Sequence, residues 1–288
     1  KSLAPPQDAP NRTASLLALA RFLEELEIHD KAEQLHRAIA REDASAELGL
    51  AEYLARRGKL DEAFEICEAN AGRVGVVSTT RIGIIGLTAA REHVQVDGPE
   101  FQRVGNWIQE ALRDRPDSKV LQLTEIFLYE LREDHATMER LYRDYLKRNL
   151  IFHERAIAAN NLAMILAGQG KCAEAKRLVD EAIELVGTNI AMVDTRAMVN
   201  LCQGNSAGVD LAIEELRRAA QMSEEPIIHL HLAVALVVGG DETAAEVAFG
   251  EAIGHGLKRA QLSKFDRVYY DQLAEQFGTE LTLELGRR

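Results

Sequence analysis

The sequence has little proline, few aromatic residues and few cysteines, and it lacks any long apolar run. Aromatic residues make up 5% of the chain, and its six prolines among 288 residues leave long stretches free of this helix breaker. The most apolar stretch, residues 230–238, is too short to cross a bilayer, so no membrane span is predicted. The 3 cysteines are odd in number and show no CxxC spacing, which predicts a reducing, cytoplasmic setting without a disulfide framework.

The chain is also poor in basic residues relative to acidic ones. It has 34 lysines and arginines against 46 acidic residues, a net charge of −12. Because such a surface repels phosphate backbones, no nucleic-acid partner is expected, and an RNA-binding helical repeat is disfavoured. One helix carries a basic cluster, which is interpreted as a solvated outer face: Arg140, Arg143, Lys147 and Arg148.

What the sequence does contain is a recurrent helical pattern, clearest in residues 156–189. Two amphipathic helices are predicted there, joined at Gly170, which can adopt the positive φ that ends a helix. Ala163 and Ala175 lie 12 residues apart, which places two small residues opposite each other across the turn and lets the helices approach closely. One hairpin cannot bury both of its apolar faces, so neighbours of the same kind are required.

The same 12-residue spacing between small residues recurs elsewhere. It joins Ala20 to Ala32, Ala51 to Ala63, and Ala233 to Ala245. Three further copies are degenerate. Residues 126 and 138 keep the spacing without small residues, a spacing of 15 between 197 and 212 predicts a turn lengthened around residues 205–210, and a spacing of 18 between 86 and 104 predicts a longer loop at 94–99.

This pattern resembles the tetratricopeptide repeat (TPR) family over residues 13–260. The resemblance implies an all-α fold, an α-α superhelix (TPR-like solenoid) of about seven helical hairpins with a C-terminal capping helix. The hairpins are expected at approximately 13–43, 44–73, 77–114, 118–149, 156–187, 190–221 and 226–256. Residues 1–12 are predicted to be a linker, 261–278 the capping helix and 279–288 a tail. The start at Lys1 suggests a segment of a longer protein.

No motif for chemistry is complete. The pair His153-Glu154 begins an HExxH zinc signature, but Ile157 stands where the second histidine belongs. His229 and His231 are two residues apart and point to different sides of a helix, which predicts one packed and one groove-facing side chain rather than a metal pair. The glycine-containing segments 72–75 and 83–86 lack phosphate-loop spacing. No catalytic group, metal, cofactor or enzyme activity is therefore predicted.

The TPR resemblance also implies a binding groove on the concave face, which the first helix of each hairpin lines. The groove residues implied are Asn160, Asn161, Met164, Asp194, Thr195, Met198 and His231, continued upstream by Phe127 and Leu87. Asn161 is the key position, because a side-chain amide can pair with both the N–H and the C=O of an extended peptide. A second interpretation, that the methionines and Phe127 only pack between hairpins, stays open.

One TPR subfamily has a ligand-binding pattern that this sequence does not share, which excludes its type of ligand. Chaperone-binding TPR proteins hold a C-terminal carboxylate with lysine, asparagine and arginine side chains. Of the five corresponding positions here only Asn161 matches, and the other four are Leu123, Phe127, Ala191 and Thr195. A ligand of that type is not expected. The resemblance implies a protein–protein interaction scaffold that binds a peptide or protein segment. The alternative is a structural or regulatory arm of a larger enzyme or signalling protein.

Overall fold

A computed structural model describes residues 12–70 and 75–285, the last seven by backbone alone. The predicted linker lies outside these residues except for Arg12, which begins the first helix. Within the described residues there are fifteen α-helices and no strand, which confirms the all-α prediction. The chain divides into two compact units, residues 1–134 and 135–288.

The first unit contains three helical hairpins and a further helix. Its helices are α1 (Arg12–Glu25), α2 (His29–Glu42), α3 (Glu47–Arg56), α4 (Leu60–Ala69), α5 (Val76–Ala89), α6 (Pro99–Asp114) and α7 (Lys119–Leu131). Each odd-numbered helix from α1 to α5 packs on the helix that follows it, and α3, α5 and α7 lie side by side. The predicted long loop is confirmed, since α5 and α6 are separated by residues 90–98.

The core of the first unit depends on close approach at Gly86. A Cβ atom there would lie 2.7 Å from a methyl group of Leu60, closer than real side chains tolerate, so glycine lets α5 pack on α4. Phe64, Phe101 and Ile108 are fully buried around this contact. Gly86 therefore allows close packing on the preceding hairpin. Within its own hairpin the close-packing residue is Gly83 instead, since a Cβ atom there would lie 2.7 Å from Val104 of α6.

The second unit contains three complete hairpins between a preceding and a following helix. Its helices are α8 (His135–Leu146), α9 (Phe152–Gly168), α10 (Cys172–Val186), α11 (Ile190–Gln203), α12 (Ser206–Met222), α13 (Pro226–Val238), α14 (Glu242–Gly254) and α15 (Lys264–Leu285). The small residues that predicted close packing, such as Ala163, Ala175, Ala233 and Ala245, have no exposed surface. Gly170 has a φ of 75° at its turn. The predicted hairpin pattern is thus realised in detail here.

One turn is shorter than predicted. The wide spacing between residues 197 and 212 was expected to lengthen the turn after α11, but α12 begins at Ser206, directly after Gly204 and Asn205. The Asn205 side chain accepts a hydrogen bond from the Gly208 backbone N–H at 2.8 Å. This cap starts the helix early, so the extra residues lengthen α12 and the turn prediction was wrong.

The last helix covers the apolar end of the seventh hairpin. Leu273 and Phe277 of α15 are 3% and 9% exposed and belong to the same buried cluster as α13 and α14. The Tyr270 ring lies edge-on to Phe249 with centroids 5.4 Å apart. The helix continues to Leu285, beyond the boundary at residue 278 that separated the predicted capping helix from the tail.

The cysteine prediction is corrected. Cys172 at the start of α10 and Cys202 near the end of α11 form a disulfide, with Cα atoms 5.6 Å apart, while Cys67 is free and buried in the first unit. The three cysteines thus comprise one disulfide pair and one buried free cysteine, so their odd number does not indicate a reducing compartment. Among the described helices, none has the length and apolar character needed to cross a membrane.

Candidate ligand-binding face

The first helices of three consecutive hairpins, α9, α11 and α13, lie side by side in the second unit. Each also packs on its own second helix through the buried alanines. Seven of the nine predicted groove residues, together with Val234, form what we call the first-helix face: Asn160, Asn161, Met164, Asp194, Thr195, Met198, His231 and Val234.

The other two predicted residues lie in the first unit. Leu87 has no exposed surface and belongs to that unit's core, so it cannot contact a ligand and is removed from the candidate site. Phe127 on α7 is 47% exposed, and Val120 and Leu123 on the same helix are 57% and 39% exposed. Their spacing places all three on one side of the helix. This apolar stripe is described separately from the first-helix face.

The two asparagines of α9 differ in their partners. The Asn161 amide nitrogen donates to the Tyr142 hydroxyl at 3.0 Å. Asn160 is 8% exposed, and its Oδ1 atom is buried without a hydrogen-bond partner among the described residues. A buried acceptor without a donor is costly. Because Oδ1 has no accessible surface in this conformation, a ligand N–H would satisfy it once the side chain turns outward.

His231 is held between two carboxylates. Its Nδ1 lies 2.7 Å from Asp194 of α11, and its Nε2 lies 3.1 Å from Asp266 of α15. Because both ring nitrogens face carboxylate oxygens, both must donate, which requires the imidazolium form. Burial opposes that charge, but the two carboxylates outweigh burial and raise the pKa of His231 to about 10. Burial likewise opposes ionisation of Asp266, yet His231 holds the pKa of this carboxyl below its ordinary value.

The beginning of α15 reaches the first-helix face beside this ion pair. The Phe265 ring stacks on His135 with centroids 4.3 Å apart. It also lies against Gly168, where a Cβ atom would come within 2.7 Å of the ring. The Ser263 hydroxyl accepts the Asp266 backbone N–H at 3.2 Å and donates to its carboxylate at 2.7 Å. These bonds fix Asp266 in the first turn of α15, pointing at His231.

A cavity of about 170 Å³ remains beneath the start of α15. Two predicted groove residues, Met164 and Met198, line it together with Val234, Phe265 and Tyr269. Sequence reasoning placed Phe265 and Tyr269 on a capping helix and did not connect Asp266 with His231. The available signal was His231 itself, a polar residue within the most apolar helix of the chain, where a buried ring nitrogen needs a hydrogen-bond partner.

The basic cluster of α8 is engaged with acidic side chains. Arg143 makes two hydrogen bonds to Glu174 of α10 at 3.0 and 2.9 Å, and Lys147 contacts Asp144 at 2.7 Å. Arg140 lies 3.9 Å from Asp144. The cluster therefore forms a paired surface. Among the described residues, no group of three or more histidine, cysteine or acidic side chains is arranged to hold a metal ion.

Solved structures with the same arrangement of helices are found by comparison. A tetratricopeptide repeat protein from Parabacteroides merdae superimposes with a TM-score of 0.63 over 94% of this chain and 98% of its own, at 17% identity. The chain has the TPR fold. Yeast Tom70 superimposes with a TM-score of 0.52 at 16% identity, and this chain covers 61% of its length. No protein-family model matches the sequence, and no curated protein matches it. These identities establish the TPR fold alone.

Proposed function

We propose that the chain is a non-catalytic protein-interaction scaffold that binds a peptide or protein segment on the first-helix face of its second unit. The observation that carries this proposal is the side-chain oxygen of Asn160, Oδ1. This atom is buried at that face and accepts no hydrogen bond from the described residues. A ligand N–H without a partner of its own, from a side chain or from the first turn of a helix, is the natural donor, and the neighbouring Asn161 amide adds a second polar contact.

Apolar residues supply the remainder of the proposed site. Met164 is half-buried and, like Met198, borders an apolar cavity. Methionine side chains are flexible and polarisable, so they adapt to ligand side chains of different shapes. Phe127 with its neighbours on α7 forms a separate exposed apolar surface in the first unit. On α11, Asp194 is bound to His231 and Thr195 is 2% exposed, so these two residues support the face from beneath.

The test is selection of binders from a displayed library of random peptides, using the full chain as bait. Selected peptides are then titrated against wild type and the Asn160→Ala/Asn161→Ala double variant. Loss of two hydrogen bonds of about 1 kcal/mol each is expected to weaken binding by about 10–30-fold. Gln221→Ala is the matched control, because this exposed amide lies on the second helix α12.

Two results would contradict the proposal. The first is selected peptides that bind the double variant as tightly as wild type while Gln221→Ala weakens them, which would place binding on the second helices. The second is a selection that yields no peptide above background. The far-UV circular dichroism of each variant must match that of wild type. This control ensures that weaker binding is not caused by unfolding of the variant.

A further inference from the structure

The C-terminal helix makes two separable sets of contacts. Tyr270, Leu273 and Phe277 cover the apolar end of the seventh hairpin, as the last element of a stack of hairpins must. Phe265 and Asp266 instead contact the first-helix face through Gly168 and His231. Covering the end of the seventh hairpin requires only the contacts of Tyr270, Leu273 and Phe277. The second set therefore requires a separate explanation.

The contacts of the second set are those of a bound ligand. Asp266 pairs with a His231 ring that is only 1% exposed, and without it one imidazolium N–H would lose its carboxylate. The Phe265 ring fills the space left by the missing side chain of Gly168 and stacks on His135. The Asp266 carboxylate thus pairs with an imidazolium, and the Phe265 ring packs against a glycine and another ring.

The fit beneath this segment is incomplete. Protein interiors are close-packed, yet about 170 Å³ remains open between Phe265, Tyr269 and the methionines of the face. The loop before α15 also begins at a glycine pair, with Gly254 ending α14 and Gly256 at a φ of 91°. A poorly filled contact in a segment that follows a glycine-containing loop is suited to being replaced.

We propose that residues 264–269 act as an internal ligand of the first-helix face, and that the partner which replaces them is an α-helix presenting an aromatic residue followed directly by a carboxylate. The carboxylate would take the place of Asp266 on His231, and the ring would enter the space at Gly168. A second aromatic residue four positions after the first, as at Tyr269, would lie over the methionines. This inference rests on the proposed scaffold function and names the chemistry of the partner.

A tethered internal ligand lowers the apparent affinity of any competitor. The competitor binds only the fraction of molecules in which the face is open, so its apparent Kd rises in inverse proportion to that fraction. Weakening the internal contact must then strengthen binding in trans. A purely structural contact would not do this.

The experiment measures binding in trans of a fluorescent peptide with the sequence of residues 262–278, by anisotropy. Three full-length chains are compared: wild type, Phe265→Ala/Asp266→Asn, and the control Val268→Ala/Glu275→Gln, which alters one apolar and one acidic residue exposed on α15. The inference predicts at least about tenfold tighter binding to Phe265→Ala/Asp266→Asn than to the other two chains. Replacing the phenylalanine or the aspartate in the peptide should abolish this gain.

Equal affinity for the three chains would overturn the inference, as would a gain that survives both peptide changes. A wild-type chain that elutes as a dimer by exchanging α15 would also overturn it, because the occupant would be a second copy. Should the double variant unfold, Asp266→Asn alone, nearly equal in volume, is expected to give a smaller gain. If library peptides depend on Asn160 and Asn161 while this peptide binds no chain, the inference fails and the scaffold proposal stands.

Discussion

At the scale of single residues, His231 shows how a stack of helices holds a charge in its interior. Two carboxylates from different helices, Asp194 and Asp266, flank the imidazolium, so the charge is paired on both sides. Removing one partner of a buried ion pair is far more costly than never having the pair. The contact therefore fixes the position of α15 as well as its own local geometry.

This arrangement predicts a specific dependence of stability on pH. The folded pKa of His231 is raised to about 10, so its contribution is fully present below the unfolded pKa of about 6.5 and is lost as the pH rises through about 10. The lowered pKa of Asp266 adds stability above about pH 4 that is lost as the pH falls. The free energy of unfolding, measured with urea, should therefore be lower at pH 9 than at pH 6.

The comparison variant is His231→Gln/Asp266→Asn, which removes both charges of the contact with α15. The stability advantage of wild type over this variant is expected to shrink by about 2–3 kcal/mol between pH 6 and pH 9. An advantage that stays constant over this range would show that His231 is not charged in the folded chain.

At the scale of helices, the predictions that rested on the 12-residue spacing of small residues were confirmed. Ala163 and Ala175 report a local contact across one turn, so their 12-residue spacing was enough to predict the hairpin. The turn after α11 was mispredicted because Asn205 caps a longer helix, and a side-chain cap changes a helix boundary without changing the apolar pattern. The pairing of Asp266 with His231 spans 35 residues. No helical periodicity encodes such a contact.

Close packing at Ala163 gives a prediction at this scale. Ala163 has no exposed surface, so Ala163→Leu should overpack α9 and cost about 1–3 kcal/mol in the free energy of unfolding. The matched control is Ala167→Leu on the same helix, because Ala167 borders the cavity beneath α15 and has room for the added methyl groups. Equal melting temperatures for these two variants would contradict the assigned helix contact.

At the scale of the whole molecule, the chain consists of two units that each have their own buried cluster. In the second unit, hairpins contact mainly their neighbours, as in other helical repeat arrays. The Cys172–Cys202 disulfide joins the fifth and sixth hairpins. Its two cysteines lie 30 residues apart in sequence, and with a third cysteine in the chain the sequence contained no signal for which two would pair.

Binding of a polypeptide to the first-helix face of the second unit is the property on which the proposed function depends. Hydrogen–deuterium exchange of the full chain, with and without a library-selected peptide at saturating concentration, tests it most directly. If the peptide binds this face, exchange is expected to slow in α9 and α11, centred on the turns that contain Asn160, Asn161 and Met198. Slower exchange confined to α10, α12 and α14 would contradict the claim, since these second helices carry none of the proposed binding residues.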